Sequence, residues 1–325
     1  MLSGIQSDIA MLYFVKNTQP IWRMRMRYLY PEPIKPGDTI GLVTPSSPMI
    51  PDLLEVGISY LEQKGFQVKL GQHVHAVDRF LAGEDEYRAK DIMDFFIDDE
   101  VKMIMAMGGG YGSQRIVPLL DYELIQSRPK HLSGFSDTTA LQAALYKKTG
   151  LVSCSGFVFG DLAAGKLDSL IEQTLWACLK NEAFQIKKGQ TMQPGMVKGR
   201  LVGGNLEAWT SLMGTPFQPE VKHCILLLED VEAEPYQVDS RLSQLDLAGV
   251  FTQVAGVIFG QFARCTAKYF PKRDGTVDDV IEEWALRLKV PCIKNFPYGH
   301  FPRRCVLPLG KEVLLNAEQC TLSIL

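Results

Sequence analysis

The chain has 325 residues, 46% of them hydrophobic and 22% charged, with a formal net charge of -3. That is apolar material for one large core or two ordinary ones, and two domains are expected. Lys and Arg are scattered rather than gathered into a basic stripe, and no apolar run is long enough to span a bilayer, so neither nucleic acid nor a membrane is an expected partner and a small molecule or peptide is.

In chain order, residues 1–32 read as an N-terminal extension. Ile9 to Val15 is modestly apolar, but Arg23, Arg25 and Arg27 follow it, the reverse of a secretory signal. An N-terminal domain is expected over 33–170. It opens with a buried strand at Thr39 to Pro45, a helix at Asp52 to Lys64 that stops at Gly65, and a strand at Gln67 to Gly71. The alternation continues with a helix at Glu84 to Phe96, a strand from Val101, a short strand at Leu132 to Phe135, a helix at Thr138 to Lys148 and a strand at Leu151 to Ser155. Strands alternating with helices predict an α/β fold built on a parallel sheet covered on both faces.

After a helix at Asp168 to Leu179, the polar Lys187-Lys188-Gly189-Gln190 and the Pro194-Gly195 pair mark a linker, expected over 171–198. The C-terminal domain is expected over 199–325. It carries strands at Cys224 to Leu228, Val254 to Phe259 and Cys292 to Phe296, helices at Leu206 to Met213, Val238 to Asp246 and Val277 to Leu288, and a closing hairpin from Val313. The seven cysteines (Cys154, Cys178, Cys224, Cys265, Cys292, Cys305 and Cys320) are odd in number, widely spaced and without a C-x-x-C pair. They read as reduced thiols of a cytoplasmic protein. No metal site is expected, because His73 and His75 lack further ligands at suitable spacing.

Chemistry points first to Val101 to Arg115, where an apolar run empties through Gly108, Gly109, Gly110 and Gly112 into Ser113. Glycines admit sharp turns, and amides at the start of a helix can face a developing oxyanion, so Ser113 is the first candidate nucleophile. The segment lacks the Lys of a P-loop, the G-x-G-x-x-G of a dinucleotide fold and the second glycine of G-x-S-x-G. A serine needs a base, and the base an acid to hold its tautomer. His300, in the Pro- and Gly-bounded loop Phe296 to Pro302, is the favoured base. Glu229 leaves the apolar run Ile225 to Leu228 and is the favoured acid, with Asp230, Glu232 and Glu234 as rivals.

The motifs Gly109-Gly110-Tyr111-Gly112-Ser113-x-Arg115, Gly134-Phe135-Ser136-Asp137, Gly203-Gly204-Asn205-Leu206, Leu228-Glu229-Asp230 with Tyr236 and Arg241, and Pro297-x-Gly299-His300 resemble the LD-carboxypeptidases. Pro36-Gly37-Asp38 and Pro45-Ser46-Ser47-Pro48 fit the same family, and the resemblance runs over about residues 33 to 325. It implies a Ser-Glu-His triad, taken as Ser113, Glu229 and His300, with an oxyanion hole from the Gly110 and Gln114 amides. It also implies a C-terminal mixed α/β domain with a β-barrel-like portion, a homodimer, and no metal or cofactor. The implied substrate is a murein tetrapeptide losing its terminal D-alanine in cell-wall recycling. A sister branch cleaves the acyl-nucleotide amide of microcin C, and a non-catalytic protein holding an anion at the glycine turn is a third reading. Ser136, Asn205 and Arg241 are candidate substrate contacts, and Asp137 reads as a helix cap. Two departures from the family pattern are Gly108, where an arginine often stands, and Ser153 to Phe157, which replaces a His-Gly-Pro-Met stretch.

Overall fold

The computed structural model describes residues 27–49, 54–164 and 167–325. Its strands in chain order are β1 Thr39–Val43, β2 Gln67–Leu70, β3 Val101–Ala106, β4 His131–Gly134, β5 Ser153–Ser155, β6 Phe184–Lys187 and β7 Gln190–Gln193. They continue as β8 Met196–Asn205, β9 Ile225–Val231, β10 Gly256–Ala263, β11 Cys292–Lys294, β12 Leu307–Leu309, β13 Glu312–Asn316 and β14 Thr321–Ile324.

The first sheet has the order β12-β5-β4-β3-β1-β2. Its five N-terminal strands are parallel, and β12 joins β5 antiparallel. Every residue of β1 is buried, as a parallel strand covered on both faces requires. Ile40, Leu42, Met103 and Met105 face one apolar layer, and Val43, Val101 and Ile104 face the other.

The second sheet has the order β6-β14-β13-β8-β9-β10-β11-β7 and is mixed, parallel from β8 through β11. Only Lys188 and Gly189 separate β6, at one edge, from β7, at the other. The three Cα steps from Lys187 to Gln190 reach at most about 11 Å, so the sheet has to curl into a half-barrel until its edges approach. Leu201, Leu227, Ile258, Ile293, Leu315 and Leu322 fill one apolar layer together with Phe135, Leu307 and Leu309 of the first sheet side. Helices Leu206–Thr210, Pro235–Leu247 and Val277–Arg287 cover another layer through Trp209, Leu242, Leu245, Ile281 and Trp284.

The boundaries differ from those expected at two places. Residues 171–198 are not a linker: helix Ser169–Leu179 packs Ile171, Leu175 and Leu179 into the core of the first sheet, while 184–193 form both edge strands of the second. Within the expected extension, Leu29 is buried and bridges Leu151, donating to Gly150 O at 2.9 Å. Tyr28 lies under the Arg200 guanidinium, 3.2 Å from the ring centroid, so this end is part of the folded body. Residues 1–26, with Ile9 to Val15, Arg23 and Arg25, lie outside the described residues, whereas Arg27 is described and exposed.

Candidate active site

The strands β3, β4, β8 and β9 deliver their carboxyl ends to one place, the position at which α/β sheets gather their sites. Fully buried β4 runs through Phe135 into Ser136, which opens a 3-10 turn, Ser136–Thr138, and then helix Thr139–Thr149. Ser136 has φ 65°. A non-glycine residue in the left-handed region is strained, by on the order of 1 to 3 kcal/mol, and such strain clusters at functional sites. The turn is pinned by the Thr138 hydroxyl donating to Phe135 O at 3.0 Å.

His300 meets this serine. Its Nε2 lies 2.9 Å from Ser136 Oγ, and its Nδ1 lies 2.7 Å from Glu229 Oε2. The carboxylate accepts only from a protonated Nδ1, which leaves Nε2 to accept the Ser136 hydroxyl proton. The loop carrying His300 is held from below: Gln261 N donates to Tyr298 O at 2.7 Å, and the fully buried Tyr298 hydroxyl meets Ser155 Oγ at 2.8 Å. The imidazole packs on Phe135, centroid to centroid 4.5 Å.

Glu229 is fully buried near the end of β9, in register with Asn205 on β8. Asn205 caps helix Leu206–Thr210 through its side-chain oxygen and donates its amide to Glu229 Oε1 at 3.3 Å and Asp230 Oδ1 at 3.0 Å. One amide thus steadies two adjacent carboxylates. Burial, with the neighbouring Glu229 charge adding to it, pushes Asp230 up to about 6. Of the rivals for the acid, Glu232 pairs with Arg264 and Glu234 caps helix Pro235–Leu247, so Glu229 is the carboxylate on His300.

Ser113 does not join this chain of hydrogen bonds. It is fully buried, and its hydroxyl donates to Asp137 O at 2.5 Å while its amide donates to Asp137 Oδ2 at 2.8 Å. The strain of its turn falls on Gly112, at φ 124°, whose carbonyl accepts from the buried Arg88. With no positive φ of its own and no opening above it, Ser113 is a brace between two turns. Asp137 is correspondingly more than a cap, because its carboxylate also accepts from Ser46 Oγ at 2.6 Å and Gly112 N at 3.2 Å. Ser47 completes the brace, accepting from Tyr111 N at 3.1 Å and donating its amide to Gly109 O at 3.2 Å. A Cβ on Gly110 would fall 2.2 Å from Ser47 Oγ, so only glycine lets this loop lie so close.

Two clefts meet at Gly110 and Ser136. One, of about 440 Å³, is lined by Tyr111, Gln114, Asp137, Asn205, Glu207, Asp230 and Arg241. The other, of about 460 Å³, is lined by Phe135, Asp161, Arg264, His300, Phe301 and Arg304. Ser136, expected as a substrate contact, is instead the hydroxyl on His300, and Asn205 holds the acid as well as facing the first cleft. Arg241 reaches that cleft while pairing with Glu207 at 3.2 Å. Gln114 follows Ser113, not Ser136, so the reason for giving its amide an oxyanion role goes with the serine; the amide following the elbow serine is that of Asp137. Of the two departures, Gly108 has open space where a Cβ would point, and Gly156 O accepts from Arg304 Nε at 2.8 Å. Among the described residues no cluster of three or more His, Cys, Asp or Glu side chains converges to hold a metal ion.

A strained serine on a strand-turn-helix elbow, a histidine on its hydroxyl and a buried carboxylate behind the histidine define an α/β serine hydrolase. The LD-carboxypeptidase N-terminal domain matches residues 40–156, and the LD-carboxypeptidase C-terminal domain matches 198–315. The chain is 33% identical over 298 residues to a Bacillus subtilis protein described as a probable murein peptide carboxypeptidase, covering 90% of this chain and 92% of that one. It is 30% identical to the murein tetrapeptide carboxypeptidase of Pseudomonas aeruginosa, over 86% and 94% of the two chains. Among solved structures, the muramoyltetrapeptide carboxypeptidase from Oxalobacter formigenes superposes with a TM-score of 0.81 at 27% identity, covering 88% of this chain and 98% of that one. The microcin C7 self-immunity protein MccF in its apo state superposes with 0.82 at 26%, covering 91% and 98%. The chain belongs to the LD-carboxypeptidase family of serine peptidases.

Proposed function

We propose that this peptidase removes the terminal D-alanine from murein tetrapeptide, acting as a homodimer in the cytoplasm, with Ser136 as nucleophile, His300 as general base and acid, and Glu229 as the group that orients His300. The observation that carries the reading is the hydrogen-bonded chain from Glu229 through His300 to the strained Ser136. The relatives named as murein carboxypeptidases support the substrate.

His300 Nε2 takes the Ser136 proton as Oγ bonds to the scissile carbonyl carbon, and Glu229 stabilises the imidazolium. The carbonyl oxygen gains the negative charge, facing backbone amides for which Gly110, which lines both clefts with Ser136, and Asp137, next to Ser136 in the chain, are the candidates. Collapse breaks the C–N bond and His300 gives its proton to the leaving amine. Water, deprotonated by the same imidazole, then attacks the acyl ester and returns the serine. The reaction needs no group beyond the chain and water.

Mass spectrometry of the purified protein with L-Ala-γ-D-Glu-meso-diaminopimelate-D-Ala tests the reading. Release of D-alanine is expected. Intact tetrapeptide, with cleavage of an acyl-nucleotide amide instead, would move the chain to the MccF-like activity. Size-exclusion chromatography with light scattering tests the dimer, and fractionation of the source cells the compartment.

A further inference from the structure

The two clefts beside Ser136 are chemically unlike, and the imidazole decides which one receives the leaving residue. In acyl transfer the general acid must reach the departing nitrogen. His300 lines the cleft with Arg264 and Arg304, while Asp137, whose amide follows the nucleophile, lines the cleft with Asn205, Asp230 and Arg241. The leaving side is therefore the arginine-bearing cleft and the acyl side the carboxylate-rich one. A carboxypeptidase differs from an endopeptidase or amidase in that its leaving residue ends in a free carboxylate, which needs a cation to meet it.

Of the two arginines, Arg304 is fully committed. It is buried, with Nε on Gly156 O at 2.8 Å, one amino group on Phe301 O at 3.2 Å and the other on Asp161 at 2.6 Å. Its charge is neutralised and its fork is filled. Arg264 stands differently. It is exposed at the cleft rim and engages Glu232 through Nε alone, at 3.0 Å, so among the described residues its two terminal amino groups contact no acceptor. Both partners sit in left-handed backbone, Glu232 at φ 60° and Arg264 at φ 54°, tied by Glu232 N donating to Ala263 O at 3.0 Å. Non-glycine residues are rarely held this way without cause, and strain of this kind clusters at ligand clamps.

From this geometry we infer that Arg264 is the specificity residue of the leaving side: its guanidinium binds the free terminal carboxylate of the departing amino acid, with Glu232 holding the fork in place. The inference rests on the carboxypeptidase reading and deepens it. Arg264 touches no reacting atom, so its contribution is to substrate binding and selection rather than to the bond-making steps.

The test compares the tetrapeptide with its C-terminal carboxamide, on the wild type and on Arg264→Gln and Arg264→Lys. A charge-assisted fork on a carboxylate is worth more than a neutral contact, so the wild type is expected to favour the acid on the order of ten-fold or more in kcat/KM. Arg264→Gln should lose that preference through a raised KM on the acid, with kcat and all carboxamide kinetics little changed. Arg264→Lys should restore part of it. Equal preference for the acid in the wild type and Arg264→Gln would overturn the assignment while leaving the carboxypeptidase reading intact. Failure of the wild type to cleave the tetrapeptide at all would overturn both. Hydrolysis of the carboxamide also serves as the control that each variant is folded.

Discussion

Two turns of the same construction lie side by side in this molecule and do opposite work. The turn after β3 and the turn after β4 both leave buried parallel strands, both end in a serine, and both lead into a helix. In the first, the unusual backbone angle is taken by Gly112 and the serine that follows is fully buried, its hydroxyl spent on Asp137 O. In the second, the serine itself takes the left-handed angle, and its hydroxyl stands against His300 Nε2. A glycine can absorb the strain of a turn at little cost and so hides the neighbouring side chain. A serine forced to absorb it is presented to the opening instead. The better-looking glycine turn is thus the buttress of the plainer one, joined to it through Asp137, Ser46 and Ser47.

The sharpest break of this comparison is substitution of the two serines. Ser136→Ala should abolish turnover of the tetrapeptide, a loss on the order of a million-fold in kcat by analogy with other triads, measured as D-alanine release. Ser113→Ala should keep activity to within about ten-fold and lower stability by about 1 kcal/mol, the ordinary worth of one buried hydrogen bond, read from a urea transition. Between these extremes, Glu229→Gln leaves the geometry but removes the charge that stabilises the imidazolium and fixes its tautomer. Its kcat should fall on the order of ten-thousand-fold.

Asp230 sharpens the contrast between the acid that orients His300 and the acid beside it. Its folded-state pKa of about 6 stands above the ordinary aspartate value of 3.8, because of burial first and then the Glu229 charge. A carboxyl with a raised folded pKa contributes stability fully present below its unfolded pKa and lost as pH rises through the folded one. Wild-type stability should therefore fall across pH 4 to 6 by on the order of 3 kcal/mol from this group, at 1.36 kcal/mol per unit. Asp230→Asn should flatten that part of the profile, as followed by urea midpoints. The smallest effect is expected at Gly108→Arg, where a Cβ meets nothing within 4 Å. Stability should stay within about 0.5 kcal/mol, as for an unobstructed surface change.

Much of the architecture was legible because apolar runs alternate with helical periods. Thr39–Val43, Val101–Ala106 and Ile225–Val231 all stand where their hydrophobic residues predict strands. Glu229 and His300 were readable for a local reason: one ends an apolar run, and the other sits in a loop stiffened by Pro297, Gly299 and Pro302. What could not be read was which serine meets the histidine. That depends on a single backbone angle at Ser136, a non-glycine residue whose sequence neighbours do not announce a positive φ. The available signal was the short run Leu132-Ser133-Gly134 passing directly into Ser136-Asp137-Thr138, a buried strand with almost no loop before its helix. The edge strands β6 and β7 escaped notice because edge strands alternate with solvent and are polar, so Lys187 to Gln190 reads as a turn alone. Pro308 disguised β12, since proline suits only a sheet edge.

The central claim is that the hydroxyl activated by His300 belongs to Ser136. Labelling the intact protein with a fluorophosphonate and mapping the adduct by peptide mass spectrometry addresses it directly. A single adduct on Ser136 is expected, kept in Ser113→Ala and lost in Ser136→Ala and His300→Ala. An adduct on Ser113 that survives Ser136→Ala would contradict it.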